Sequence, residues 1–444
     1  MKQTAQEFYR SLAGKKVAFI GAGVTNRDLI PLFAAAGAKV TLCDQKERDA
    51  LGALGDRYAQ MGIAFSLGEH YLDGLAGQDM ILRSPGFEFY TPALVEAGQA
   101  GAQITSEMEL FFRLCPCKIY AVTGSDGKTT TTTLISEMLK AQGKKVHLGG
   151  NIGRALLPVV NEIAPEDVAV VTNVTPNHLD HHKDMQEYID AKRNILLYQG
   201  KDSKAVLGYE NEITRGMAAD VQGEGFWFSR LHPVEKGAFL DEEGFLCLAA
   251  GGEVCRVMSK SEVRLPGLHN IENLLCAMAT VWGEVSPENM AQVGRTFAGV
   301  EHRIEPVREK DGVRWYNDSI ATSPTRTIAG LHAFDQKLIL IAGGYDKGVS
   351  YAPLAPELIA RVKLLILMGN TAAKIEEAVR ARPEFAQSGL VILHAEDMEQ
   401  AVSLAAQRAK DGDIVSLSPA SASFDRYPNF EKRGEHYKAL VMAL

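Results

Sequence analysis

Short apolar runs alternate with longer amphipathic stretches along almost the whole chain. Residues 16–21 read as a strand, 28–36 as a helix stopped by Gly37, and 39–44 as a second strand, which makes a βαβ unit. Residues 118–122 form another apolar strand that passes through a glycine turn into a helical pattern reaching residue 139. Residues 168–174 carry the continuous apolar pattern of a buried strand, followed by a helix over 185–197. A stretch rich in short strands, 205–265, precedes a helix opening at His269. The last third repeats strand and helix regularly. Its strands are expected at 313–317, 337–342, 363–368, 390–394 and 413–417, its helices near 324–334, 371–380, 397–410 and 429–443. The pattern predicts an α/β protein of open sheets in three units, about 1–114, 115–299 and 300–444.

Composition narrows the class. A chain of 444 residues is long enough for two or three domains. Its net charge of −8, with no basic block, argues against nucleic acid as a partner. The first 15 residues lack the apolar core of a signal peptide, and no apolar run approaches the ~18 residues of a membrane span, so a cytoplasmic protein without membrane insertion is expected. Six cysteines, scattered apart from Cys115-Pro-Cys117, fit reduced thiols in such a compartment; that pair lacks the second pair a structural metal site needs. Monomer is the default expectation.

The chemistry concentrates in residues 120–133. Gly124 and Gly127 let the backbone curl so that its N–H groups, with those of Ser125, Asp126 and Thr130, face one centre at a helix N-terminus. Lys128 would supply a cation for the β- and γ-phosphates of ATP, and Thr129 a hydroxyl for Mg²⁺. Val122 stands where the strict phosphate-loop signature has its first glycine, so the match is to a shortened form. In the first unit, Gly21-Ala-Gly23 and Asp44 occupy dinucleotide-binding positions, but Asn26 replaces the third glycine, which favours a different nucleotide-like ligand. Ser84-Pro85-Gly86 is a second phosphate-facing turn or a plain loop. His178 and His182 look superficially like a zinc pair, but no glutamate follows His178 as a zinc-binding helix requires.

Beyond this residue-level reading, the chain resembles a known family over nearly its whole length: the Mur ligases, ATP-dependent amide ligases of peptidoglycan precursor synthesis. Ser84-Pro-Gly86, Thr123-Gly-Ser-Asp-Gly-Lys-Thr-Thr130, Gly149-Gly-Asn-Ile-Gly153, Asn173-Val-Thr-Pro-Asn-His-Leu-Asp180, Ala191-Lys192, His269-Asn-Ile-Glu-Asn273, Glu301-His-Arg303, Asn317-Asp-Ser319 and Leu417-Ser-Pro-Ala-Ser-Ala-Ser-Phe-Asp425 are similar to its motifs, in order. The third and last of these runs in the list of glycine and serine loops point to the branch that adds D-glutamate. The resemblance implies three domains: Rossmann-like, a central ATPase of the phosphate-loop type, and Rossmann-like again. It also implies the reaction. ATP converts the carboxylate of UDP-N-acetylmuramoyl-L-alanine to an acyl phosphate, the amine of D-glutamate attacks, and ADP and phosphate leave, a step in cell-wall synthesis.

By the same resemblance, Asn270, Asn273, Arg303 and Asp318 contact the nucleotide, while His178 and Lys192 (the latter as a carbamate) help hold a second Mg²⁺. Thr322, Lys347, Ser423 and Phe430 form the D-glutamate pocket. Val24, Thr25, Asp44, Gln45 and Ser84 to Gly86 lie at the uridine end, with Asn151 reaching the sugar–phosphate side. Three departures stand out. Asp126 replaces an asparagine, and Ile320 stands where some members carry a lysine. The family's Glu-x-Ser-Ser-x-Gln strand, whose glutamate ligates Mg²⁺, is absent between Gly153 and Asn173. Loss of a central strand should disrupt the sheet, so a break in the backbone between 168 and 173 is the expected sign of a missing segment.

Overall fold

The structure, a computed structural model, describes residues 3–84, 87–124, 127–150, 155–172, 185–265 and 267–444. It forms two compact units, Met1–Phe297 and Ala298–Leu444.

The first unit opens with a five-stranded, wholly parallel sheet. Its strands are β1 (Lys16–Ile20), β2 (Lys39–Asp44), β3 (Ala64–Leu67), β4 (Met80–Leu82) and β5 (Gln103–Thr105), in the order β3-β2-β1-β4-β5. The order reverses beside β1, the switch point where such sheets bind ligands. β1 is apolar throughout because both its faces are covered. Val17 and Phe19 pack with Phe8, Leu29 and Phe33 on one side, and Ala18 and Ile20 with Leu75 and Leu94 on the other. The helix expected over 28–36 forms as Leu29–Ala35, and a separate helical turn, Val24–Arg27, precedes it. Pro31 has no N–H to give the Arg27 carbonyl, so the ladder cannot run through. A short helix, Ala5–Arg10, begins at a Thr4/Glu7 capping box absent from the sequence reading.

Next comes a three-stranded parallel sheet, β6 (Lys118–Val122), β7 (Val146–Gly149) and β8 (Val168–Thr172), in the order β6-β8-β7. Over the described residues 168–172 the expected break does not appear: β8 is continuous and paired along its length with β6, and with β7 over Val168–Val171. Among the described residues the three strands form a regular sheet with no additional strand. One face of this sheet supplies Ala169 and Val171 to the core around Phe8 and Phe33. The other packs Val168 and Val170 under the helices Lys128–Ala141 and Leu268–Val281. The stretch of short strands resolves into one five-stranded sheet: β9 (Lys204–Gly208), β10 (Glu224–Ser229), β11 (Gly237–Leu240), β12 (Phe245–Ala250) and β13 (Glu253–Ser259). Ala238, Leu246 and Leu248 bury the far side of helix Leu268–Val281, which is why that helix is apolar nearly all round.

The second unit is a six-stranded sheet of β14 (Glu305–Lys310), β15 (Val313–Asn317), β16 (Leu338–Ala342), β17 (Val362–Leu367), β18 (Val391–His394) and β19 (Ile414–Leu417). The order is β14-β15-β19-β16-β17-β18, parallel except for the β14–β15 hairpin. The wholly buried β16 and β19 lie inside, and the polar β14 takes an edge. The strands expected at 313–317, 337–342, 363–368, 390–394 and 413–417 form within a residue or so of those bounds; β14 and helix Ala355–Arg361 were not anticipated.

Candidate active site

The strand and helix expected on either side of the phosphate loop both form. β6 ends at Val122, and Gly127, at φ +71°, caps the helix Lys128–Ala141 in a left-handed conformation. A Cβ on Gly127 would lie 2.1 Å from Asn273 Oδ1, so glycine is required both by the backbone and by the space. Lys128 is buried, and its ammonium donates to the Gly124 carbonyl at 2.6 Å, closing the curl. Thr129 is buried behind it, and Thr130 is half-buried. The run of five threonines is unusual in a helix; Thr132 and Thr133 donate back to the carbonyls of Lys128 and Thr129 and so satisfy their hydroxyls locally. Thr131 donates to Asn273 Oδ1, and Asn273 donates to Asn270. Thus Asn270 and Asn273 do stand against the phosphate-loop helix. Ser125, Asp126, Asn151 and His178, with His182, lie outside the described residues. Lys192 sits buried on helix Met185–Leu197, and that burial lowers its pKa.

Of the residues expected to take the uridine nucleotide, Val24 and Thr25 open a helical turn after β1, Asp44 ends β2 with Gln45 next, and Ser84 follows β4. All stand at the carboxyl edge of one parallel sheet. Asp44 accepts from the backbone N–H groups of Ala22 and Lys46, holding the turn after β1, and Gln45 donates to the Tyr71 hydroxyl. Asn26, which weakened the dinucleotide fingerprint, is wholly buried. Its amide donates to the carbonyls of Ile20 and Gly21 and to the Ser84 hydroxyl, which itself donates to Ile20. The side chain thus spans the loops after β1 and β4 where a glycine would leave them untied. Pro85 and Gly86 lie outside the described residues.

In the second unit, Asp318 follows β15 and is buried, accepting from the Ser418 hydroxyl at 2.7 Å and the Ile304 N–H at 3.3 Å. Burial raises its pKa to about 7, against the opposing pull of those bonds and of Arg303 and Arg326. Burial first, then Arg326, lowers the pKa of Arg303. Lys347 is exposed, yet the protein atoms around its ammonium, then Arg326 and Arg433, hold it below the usual lysine range. Ser423 is buried, Thr322 half-buried, and Phe430 sets its ring edge against His302 while its carbonyl accepts from Ser319.

Arg433 escaped the sequence reading. It is buried, donating to Ser319 Oγ and to the carbonyls of Ser319, Ser421 and Ala422, so it ties the Asn317-Asp-Ser319 loop to the serine-rich loop carrying Ser423. The signal was a charge at one position of the buried stripe Arg433, Tyr437, Val441 on the last helix. Among the described residues one cluster has metal-ligand spacing, Glu301, His302 and Glu305, and Lys438 already pairs with both its glutamates. Cys115 and Cys117 bring their sulfurs to 3.5 Å but belong to no such cluster.

These features define a class: an α/β nucleotide enzyme with a phosphate loop in its central domain and α/β domains on either side. Comparison with known proteins narrows it. Residues 15–106 match the N-terminal domain of D-glutamate-ligase-like Mur ligases (MurD-like), 151–281 the Mur ligase middle domain, and 302–421 the Mur ligase glutamate ligase domain. A protein of Acetivibrio thermocellus named UDP-N-acetylmuramoylalanine–D-glutamate ligase is 45% identical over 465 aligned positions, covering 100% of both chains. One of the same name from Clostridium beijerinckii is 46% identical over 463, again covering 100% of both. The chain belongs to the Mur ligase family, whose members use ATP and Mg²⁺. The fold agrees: MurF from Acinetobacter baumannii aligns with TM-score 0.55 at 14% identity over 98% of each chain. A pseudomurein peptide ligase from Methanothermus fervidus aligns at 0.51 and 16%, over 97% of this chain and 100% of its own. Among the described residues no helix is long and apolar enough to cross a membrane.

Proposed function

We propose that the chain joins D-glutamate to UDP-N-acetylmuramoyl-L-alanine, using ATP to activate the acceptor carboxylate as an acyl phosphate. The observation that carries this reading is end-to-end similarity to ligases of that name, combined with a buried Lys128 folded into a phosphate loop. A carboxylate is a poor electrophile, and phosphorylation gives it a leaving group. Both steps bring anions together, so the cations and N–H groups of the site carry the catalysis. Lys128 and the backbone of the loop hold the β- and γ-phosphates, with Gly124, Ser125, Asp126, Gly127, Thr129 and Thr130 shaping the cradle. Asn270 and Asn273 flank the nucleotide from helix Leu268–Val281, and the family resemblance assigns Arg303 and Asp318 to the nucleotide as well. Val24, Thr25, Asp44, Gln45, Ser84, Pro85, Gly86 and Asn151 take the uridine diphosphate sugar. Thr322, Lys347, Ser423 and Phe430 take D-glutamate.

Mg²⁺ supplies charge neutralisation to transferring phosphates and favours hard oxygen ligands. The Thr129 hydroxyl, at the helix start beside Lys128, fits one such ion together with the triphosphate's own oxygens. A second ion fits less well. His178 and Lys192 as a carbamate would hold it, and the lowered pKa of Lys192 favours the neutral amine that captures CO₂. The family's carboxylate ligand, however, has no replacement among the described residues around β8. Glu162, Glu166 and Asp167 all precede β8, at the end opposite the phosphate loop, and Asp167 is already bonded to Lys145 and His147. That observation favours a second reading, a homologue that binds the uridine substrate and ATP but turns over poorly.

Phosphate release with UDP-N-acetylmuramoyl-L-alanine, ATP and Mg²⁺ separates the two. Release that needs D-glutamate, and not L-glutamate, alanine or lysine, supports the ligase; substrate binding without release supports the impaired homologue. Lys128→Ala should lower turnover by roughly 100-fold or more, the loss typical when a stabilising donor is removed from developing charge. Full activity in that variant would refute the role given to the loop.

A further inference from the structure

The second unit gathers three cations, Arg303, Arg326 and Lys347, whose side chains make no hydrogen bond or ion pair with any described residue. They are close enough that the charge of Arg326 is felt at both of the others and at Asp318. With Asp318 the only carboxyl felt near two of them and no hydrogen-bonded partner among the described residues, these like charges are costly to hold together, and the cost is recovered when an anion enters between them.

Arg326 is also locally misplaced. It stands in the first turn of helix Pro324–Leu331, after the N-cap Ser323, where the helix dipole favours acids and disfavours cations. Nothing lets that turn drift away from the site. Ser418 donates to Asp318 and lies 3.1 Å from Thr327 Oγ1, Thr327 donates to the Ser418 carbonyl, and a Cβ on Gly330 would come within 2.7 Å of Asp318 Oδ2. The helix is therefore pinned on the loop after β15, with Arg326 exposed at its start. D-Glutamate carries two carboxylates, and Lys347 answers only one of them.

We propose that Arg326 is the second carboxylate-binding cation of the amino-acid site, gripping D-glutamate beside Lys347. The inference rests on the D-glutamate reading given above. Steady-state phosphate release should be measured for wild type, Arg326→Ala and Arg326→Lys with D-glutamate, ATP and the uridine substrate varied in turn. Charge-assisted hydrogen bonds of this kind contribute about 1.5–3 kcal/mol. The KM for D-glutamate should accordingly rise about tenfold or more in Arg326→Ala and be partly restored in Arg326→Lys. The KM for ATP and kcat should stay within roughly threefold. Because the residue is exposed, the thermal midpoint should not move, which separates lost binding from lost folding. An unchanged KM for D-glutamate in an otherwise active variant overturns the inference, as does an effect confined to kcat or to ATP. Wild-type protein that releases no phosphate with D-glutamate overturns the parent reading instead, and this inference with it.

Discussion

At the scale of single residues, Asp318 makes a pH dependence that can be worked out in sign. Its folded pKa, raised by burial to about 7, lies above the ordinary value of 3.8, so the folded state holds a proton that the unfolded chain has lost. Stability contributed by this group is complete below pH 4, declines as pH rises from about 4 to about 7, and is level above that. The full span corresponds to roughly 4 kcal/mol for a group with so little solvent around it. Asp318→Asn keeps an acceptor for Ser418 and removes the titration. Urea midpoints between pH 4 and 7.5 should fall less steeply in the variant than in wild type, and parallel slopes would contradict the assignment. Such positions were legible in the sequence as strand-end loops, but their environment was not. Nothing in the residue pattern showed that Asn26 would span two loops or that Arg433 would be drawn inside, because both depend on partners 58 to 114 positions away.

Among the elements, the sequence spoke clearly where local chemistry and tertiary context agree. β6, its glycine turn and the following helix were readable because strand, left-handed turn and helix cap each carry a local signal. β14 went unread although Asp311-Gly312, both at positive φ, marks a tight hairpin before Val313. Its residues Glu305–Lys310 are polar at alternate positions and beyond, as an edge strand permits, so the apolar signal was missing. Pro31 shows a further case, in which one residue keeps the turn Val24–Arg27 separate from the helix Leu29–Ala35. The phosphate-loop element invites a direct test. Gly127→Ala forces a side chain onto a φ of +71° and into Asn273, so calorimetry should find ATP binding lost or weakened at least tenfold, with a stability cost of about 1–3 kcal/mol. Wild-type affinity in that variant would mean that neither the backbone conformation nor the contact matters.

For the whole molecule, the question is how the central sheet works with the three strands it has among the described residues. The alignment with the Acetivibrio thermocellus relative spans 465 positions against 444 residues here, so the relative contributes residues that this chain lacks. The physical consequence divides into two parts that need not fall together. Packing survives, because β8 fills the place between β6 and β7, and its Ala169 and Val171 face are covered by the core around Phe8 and Phe33. Charge is the other part: among the described residues between Gly153 and the end of β8, the acids Glu162, Glu166 and Asp167 all precede the strand, so none is available at its carboxyl end for the second Mg²⁺ of the proposed function. The deficit should therefore appear in metal dependence rather than in folding. Half-maximal phosphate release should require severalfold more Mg²⁺ than the Acetivibrio thermocellus relative needs, and chelation with EDTA should abolish release while leaving the thermal midpoint in place. Inserting the relative's own segment between Gly153 and Asn173 should bring the Mg²⁺ requirement down. If the native chain already matches its relative in Mg²⁺ titration, the missing acid has been replaced by a group that the sequence does not announce, and ligands from substrate or from His178 would then be the place to look.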